Sequence, residues 1–188
     1  MKRFLIAALA LSATSAFANV TGNIEFVSYP DGYPTFDSQF EVNQDAGNLV
    51  GVSGSVINLE QQKGGYQGFA LGRPFNVVCS ATECTDNGST QLDIAVTPVS
   101  GGYKLSGTLN YVHVEATVTD TKISVSALGG NTDVSFHLHK TSNGTYSGDG
   151  VADAITTFPA TLTTSGTLEG LTDPATFIVL VLNPFVGQ

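Results

Sequence analysis

The sequence predicts an all-β protein, either a single antiparallel β-sandwich or a closed β-barrel with short hairpin connections, preceded by an N-terminal signal peptide. Three observations lead to this prediction. No stretch of ten or more residues beyond the leader has helical periodicity. Short runs rich in Val, Ile, Thr and Phe alternate with Gly, Asn, Asp and Pro. Residues 112–139 alternate apolar and polar side chains in three consecutive runs.

The first eighteen residues have the composition of a secretory leader. Lys2 and Arg3 precede the apolar run 4–11, and small residues lead to Ala18. We therefore expect cleavage after Ala18, with 1–18 as signal peptide, 19–188 as one all-β domain, and a periplasmic or extracellular location. The apolar run is too short for a membrane-spanning helix, which needs about 20 residues, so membrane insertion is not expected.

The spacing of the apolar runs places the start of each probable strand. Turn-forming residues separate the runs, and no low-complexity linker divides them. The predicted strands begin near Val20, Ser38, Leu49, Tyr66, Phe75, Gln91, Tyr103, Val112, Lys122, Asp133, Thr145, Ala154, Thr161 and Thr176.

The alternation over 112–139 is regular enough to predict strand register. A two-residue turn at 120–121 places Val118 opposite Ile123, and a second at 130–131 places Val125 opposite Phe136. In both registers every apolar residue faces an apolar partner. We therefore expect a three-stranded meander with one buried and one polar face.

Two segments depart from this regularity. The apolar positions switch from odd to even numbers near Asn110, which predicts a bulge or corner there. The run 177–182 is apolar at both parities, so a strand there would be covered on both faces. The sequence leaves open a central strand, a homo-oligomer contact through 177–182, or a lipid-facing segment.

Cys79 and Cys84 are the two cysteines of the chain. Export to an oxidising compartment predicts a disulfide between them. Their C-x4-C spacing differs from the C-x-x-C of redox motifs, and no second pair completes a zinc site. Closing so short a loop stabilises the fold by only about 2 kcal/mol, so the bond is expected to fix the loop from Ser80 to Glu83.

The excess of acidic residues excludes some classes of binding partner. Removal of Lys2 and Arg3 leaves five basic residues against sixteen acidic ones. Binding to phosphate backbones depends on clusters of Lys and Arg, so no nucleic acid partner is expected.

Few residues have the chemistry of a metal centre. The three histidines are His113, His137 and His139, and the predicted registers separate His113 from the other two. His137 and His139 share a strand face, and their H-x-H spacing makes them the metal candidates. Their predicted neighbours are Thr, Ser and Lys, which are poor ligands, so a solvated sheet face is the stronger interpretation and no metal or cofactor is predicted.

No catalytic residues are assigned. The chain lacks a G-x-S-x-G elbow, and both cysteines are predicted to be oxidised. Paired carboxylates, such as those used in glycoside hydrolysis, are not assigned either, because sixteen acidic residues form many pairs by chance. Tyr29 and Tyr33, in the aromatic stretch 26–40, are candidate binding residues, although a turn whose rings cover one end of the core is the favoured interpretation.

The sequence therefore predicts an exported, non-catalytic β-domain that acts as a binding, interaction or structural surface component with an unidentified protein or small-molecule partner. One alternative is a β-barrel that binds a small apolar ligand in its interior. Another is a small outer-membrane β-barrel. The polar face of the meander favours a water-soluble domain, so the first of these three is the leading hypothesis.

Overall fold

The computed structural model describes residues 18–25, 37–45, 48–53, 57–70, 72–86, 91–129, 133–154, 156–164, 171 and 173–183, and for 18–25, 37–45 and 52–53 it describes the backbone alone. Within these residues the chain is nearly all antiparallel β-structure, as the sequence predicted. The predicted leader, up to residue 17, and the turn at 130–131 lie outside the described residues. Ala18 is the first residue of the first strand.

The described residues form fourteen strands and one helical segment. The strands are β1 (Ala18–Glu25), β2 (Asp37–Asp45), β3 (Asn48–Ser53), β4 (Ile57–Gln62), β5 (Gly65–Ala70), β6 (Arg73–Cys79), β7 (Glu83–Thr85), β8 (Leu92–Val99), β9 (Gly102–Leu109), β10 (Val112–Thr119), β11 (Lys122–Leu128), β12 (Val134–Ser142), β13 (Thr145–Ala152) and β14 (Thr156–Thr164). The helical segment is α1 (Pro174–Phe177), continued by a π-helical turn over Ile178–Leu182. We call the whole segment the C-terminal helix.

Strands β4 and β7 were not predicted from the sequence, and the strand starts predicted near Ala154 and Thr161 belong to one strand, β14. Each strand pairs antiparallel with the next one in the chain. In addition, β1 pairs with β14, with Val20 opposite Thr164 and Ile24 opposite Ala160. Hairpin connections between chain neighbours account for all the other pairings.

The predicted meander is confirmed in register. Val118 lies opposite Ile123, and Val125 lies opposite both Ala116 and Phe136. The alternating residues of β10, β11 and β12 are buried on one face. A shift of one residue would expose every apolar side chain of a strand, so burial of one face fixes this register.

The parity switch near Asn110 comes from a hairpin turn, so the predicted bulge or corner is wrong. Asn110 has φ 49° and Tyr111 has φ 68°, and Leu109 pairs with Val112 across the turn. Two consecutive residues with positive φ form a type I′ turn, whose twist matches that of the flanking strands. A two-residue turn between Leu109 and Val112 leaves both residues on the buried face while the numbering changes parity.

The run 177–182 is helical, so the prediction of a strand there is wrong. The side chain of Asp173 accepts a hydrogen bond from the backbone N–H of Thr176 at 2.9 Å, and Pro174 occupies the first turn. An aspartate cap followed by proline is a typical helix start. Short apolar runs do not distinguish a buried strand from a buried helix by periodicity, and the Asp-Pro pair was the signal that favoured the helix.

The C-terminal helix is buried on every side. Residues 175–183 are all buried, with exposures from 0% to 4%. An ordinary surface helix buries only one stripe, so this helix differs from a surface helix in having no exposed side. A homo-oligomer contact through 177–182 stays a prediction, and in the monomer these side chains offer no surface for it. Among the described residues, no helix combines the length and hydropathy needed to cross a bilayer.

Candidate functional site

A groove of about 540 Å³ crosses the exposed face of β8 to β12. Cavities of roughly 300–1,000 Å³ are the usual size for small-molecule sites. The side chains that line the groove are mostly short and polar, and the lining residues are Thr97, Lys104, Leu105, Ser106, Glu115, Ala116, Thr117, Ser124, Val125, Ser126, Ser135 and His137.

Strand register explains why these polar side chains meet. Successive residues of a strand point to opposite faces, so residues that pair across neighbouring strands form rows on one face. One row runs from Ser106 through Glu115 and Ser126 to Ser135. A second runs from Lys104 through Thr117 and Ser124 to His137. The groove follows these two rows, and its centre carries hydroxyl groups that donate and accept hydrogen bonds.

Three ionisable side chains line the groove, namely Lys104, Glu115 and His137. The Nε2 atom of His113 lies 3.6 Å from a carboxylate oxygen of Glu115, two residues along the same strand. At the β12 side of the groove, His137 lies opposite Asp149 of the neighbouring strand β13. The groove therefore combines hydroxyl groups with one ammonium, one imidazole and one carboxylate.

The metal candidates lie at and beside this groove. His137 lines it, while His139 lies two residues further along β12, opposite Lys122 and Ser147. The sequence predicted Ser124 and Lys122 as their neighbours on β11, and this is confirmed. Among the described residues no group of three His, Cys, Asp or Glu side chains is arranged to hold a metal ion.

The predicted disulfide lies apart from the groove, on β6 and β7. Cys79 and Cys84 form the predicted disulfide, and they pair directly across β6 and β7. The Oγ atom of Ser80 accepts hydrogen bonds from the backbone N–H groups of Thr82 and Glu83, so the disulfide and this side chain together order the connection. Tyr29 and Tyr33 lie outside the described residues.

A separate polar cluster anchors the C-terminal helix. The Thr176 hydroxyl donates to the Asp173 carboxylate at 2.6 Å and lies 3.0 Å from the Tyr66 hydroxyl. The Tyr103 hydroxyl donates to the carbonyl oxygen of Leu171 at 2.7 Å, and its ring meets the ring of Phe177 edge-on with centroids 6.4 Å apart. Two strands, β5 and β9, therefore hold the start of the helix from different directions.

Burial raises the pKa of the Tyr103 phenol well above its usual value of 10.0, and the Asp173 carboxylate and Tyr146 add to the effect. In the unfolded chain this phenol ionises near pH 10, while in the folded protein it keeps its proton to higher pH. The unfolded state then binds fewer protons, so the stability that Tyr103 contributes is present below about pH 10 and is lost as the pH rises towards the folded pKa.

Tyr103→Phe is therefore expected to reduce the alkaline loss of stability, by up to about 1.4 kcal/mol per pH unit. The free energy of unfolding, measured by urea titration between pH 8 and pH 11, provides the test. Tyr111→Phe is the matched control because Tyr111 is 77% exposed, and it should leave the slope unchanged. Equal slopes for wild type and Tyr103→Phe would contradict this account.

The comparisons with known proteins add no relative. A scan against protein-family models, a search of curated proteins and a search of solved structures each returned no match.

The sequence identified His137 and its neighbour Ser124, but it did not predict the groove that they line. Lys104 and Ser106 were not singled out, because the predicted registers stopped at β10 and polar residues on a strand are usually solvated. Continuing the register across the Asn110-Tyr111 turn pairs Lys104 with Thr117 and Ser106 with Glu115. This extension of the register would have predicted that both rows of polar side chains continue from β10 onto β9.

Proposed function

We propose that this protein is an exported, non-catalytic β-domain that binds a polar ligand in the groove across β8 to β12. The observation that carries the proposal is the two aligned rows of side chains, in which hydroxyl groups from neighbouring strands converge on one cavity of about 540 Å³. Because these side chains project from paired strands, the site is preorganised, which lowers the entropy cost of binding.

A non-catalytic role is supported by the composition of the groove. Glu115 is the one carboxylate among the described residues that line it. Glycoside hydrolysis generally uses two carboxylates that flank the bond to be cleaved. The groove offers many hydrogen-bonding groups and little acid–base chemistry, which suits recognition better than turnover.

We further propose that the sheet closes into a barrel around the C-terminal helix. The pairing of β1 with β14 and the burial of residues 175–183 support this arrangement over a sandwich. The helix then occupies the space that a small apolar ligand would need in the interior, which disfavours that alternative.

The outer-membrane alternative is disfavoured by the exposed face. Lipid-facing strands present apolar side chains outward, whereas β9 to β12 present residues such as Lys104, Glu115, Ser124 and His137. Export itself is supported by the leader-like residues 1–18 and by the disulfide. N-terminal sequencing of the exported protein should give Asn19 as the first residue.

Obstruction of the groove tests the binding proposal. Ser124→Trp places a large ring in the middle of the second row, and Thr161→Trp places the same ring on an exposed position of β14, outside the groove. We expect the wild-type protein to bind members of an immobilised oligosaccharide panel. Ser124→Trp should reduce that binding at least tenfold, and Thr161→Trp should keep it within twofold.

Two results would contradict the proposal. One is the absence of binding by the wild-type protein to every member of the panel. The other is equal loss of binding in both tryptophan variants. Circular dichroism and thermal unfolding of the two variants establish that each retains the fold.

A further inference from the structure

We propose that the ligand of this groove is anionic as well as hydroxyl-bearing, a short acidic oligosaccharide with carboxylate or sulfate groups. This inference rests on the binding function proposed above. It comes from four side chains on β9, β11 and β12, which we call the basic cluster: Lys104 and His137 line the groove, and Lys122 and His139 lie beside it.

Positive charge is scarce in this chain and unevenly placed. Five Lys and Arg residues follow residue 18, against sixteen acidic residues. Two of the five, Lys104 and Lys122, lie on the groove face of β9 and β11. Two of the three histidines, His137 and His139, lie on the same face of β12. A protein of net charge −9 therefore places two of its lysines and two of its histidines on one face of neighbouring strands.

Register gives the basic cluster its geometry. Lys122 lies opposite His139, and Ser124 lies opposite His137, on the adjacent strands β11 and β12. Residues directly opposite have Cβ atoms about 5 Å apart, and residues two apart on a strand are about 6.7 Å apart. His137, His139 and Lys122 therefore occupy positions next to Ser124 on one side of it, and Lys104 lies in the same row as Ser124 two strands away.

The ammonium groups of the cluster are available to a ligand. Within the part of the chain that the structure describes, neither Lys104 nor Lys122 has a carboxylate oxygen within 4.0 Å. Charge-assisted hydrogen bonds to a carboxylate or sulfate are stronger than neutral ones. An anion placed beside Ser124 and Thr117 would receive both hydroxyl and ammonium hydrogen bonds.

Nearby carboxylates limit the size of the ligand. Glu115 lines the groove, Asp149 lies opposite His137, and Asp120 precedes Lys122 in the β10–β11 turn. Outside the cluster the protein is strongly acidic, so a long polyanion would be repelled wherever it extended beyond the groove. The arrangement therefore favours a short anionic ligand over a polymer.

Binding of three defined probes by the full-length mature protein tests this inference. The probes are a tri-galacturonate, a sulfated dextran oligosaccharide and a neutral dextran oligosaccharide of the same length, compared by isothermal titration calorimetry at 50 mM and 300 mM NaCl. We expect one or both anionic probes to bind at least about tenfold more tightly than the neutral one, with the difference shrinking in high salt.

Charge variants locate the interaction. Lys104→Gln and Lys122→Gln should each weaken anion binding about tenfold, since hydrogen bonds to charged groups contribute more than neutral ones. Lys63→Gln, in the β4–β5 turn, is the matched control and should have no effect. Asp149→Asn removes the carboxylate opposite His137, and it should tighten binding several-fold.

The outcomes separate this inference from the proposed function. Equal binding of neutral and anionic probes, blocked by Ser124→Trp, overturns the anionic ligand and keeps the groove as a binding site. An equal effect of Lys63→Gln and Lys104→Gln overturns it too, because general charge would then account for binding. If none of the three probes binds, the proposal of an anionic ligand is wrong. If the wild-type protein also binds no member of the oligosaccharide panel, the proposed binding function of the groove is wrong as well.

Discussion

Leu180→Asp is expected to lower the free energy of unfolding by more than about 4 kcal/mol. Leu180 is 0% exposed in the middle of the C-terminal helix. The substitution removes a buried leucine side chain, a loss of about 2–5 kcal/mol in itself, and introduces a carboxylate without a partner. Urea unfolding followed by circular dichroism gives the change in free energy.

Leu128→Asp is the matched control for this prediction. Leu128 is 47% exposed at the end of β11, so the same change there should cost no more than about 0.5 kcal/mol. Val181→Asp completes the test because Val181 is only 3% exposed. A half-exposed strand over 177–182 would tolerate aspartate at one of the two adjacent positions. Tolerance of either Leu180→Asp or Val181→Asp would therefore contradict a helix that is buried on every side.

The C-terminal helix also illustrates where the sequence was insufficient. Residues 177–182 are apolar without interruption, and such a run fits a fully covered strand as well as a fully covered helix. Periodicity carries no information when every side of an element is buried. Only the local cap at Asp173 and Pro174 distinguishes the helix from a strand, and the sequence analysis did not use it.

For the three-stranded meander, in contrast, the sequence pattern was sufficient to predict the structure. Strands β10, β11 and β12 each have one solvent-exposed and one buried face, so the alternation of polar and apolar residues specifies the register residue by residue. Val125 opposite Phe136 could be predicted for that reason. The Asn110-Tyr111 turn was missed because Tyr is a rare residue at positive φ, where Asn-Gly is the usual pair.

The groove could be predicted only in part, because it depends on strand register and also on the curvature of the sheet. Its rows follow from register and could be predicted once β9 was paired with β10. Its concavity depends on the twist and curvature of five strands, which no local pattern encodes. Sequence could therefore identify polar side chains that share a face, but not that Lys104 and His137 border one cavity.

Gly150→Val is expected to lower the free energy of unfolding by about 3 kcal/mol through overpacking. Gly150 is buried on β13 and pairs with Phe158 of β14. A Cβ atom at position 150 would lie 2.2 Å from the Cζ atom of the Phe158 ring. Phe158 is 1% exposed, so its ring has little room to move away.

A double-mutant cycle distinguishes this clash from a general intolerance of valine in β13. Phe158→Ala alone should cost about 3–5 kcal/mol, because it leaves a cavity beside Gly150. In Gly150→Val/Phe158→Ala the valine enters that cavity, so the double variant should lose at least about 1 kcal/mol less than the two single losses combined. Additive losses would mean that Phe158 does not cover Gly150. A favourable coupling would instead establish that the absent side chain at position 150 is what leaves room for the Phe158 ring beside β13.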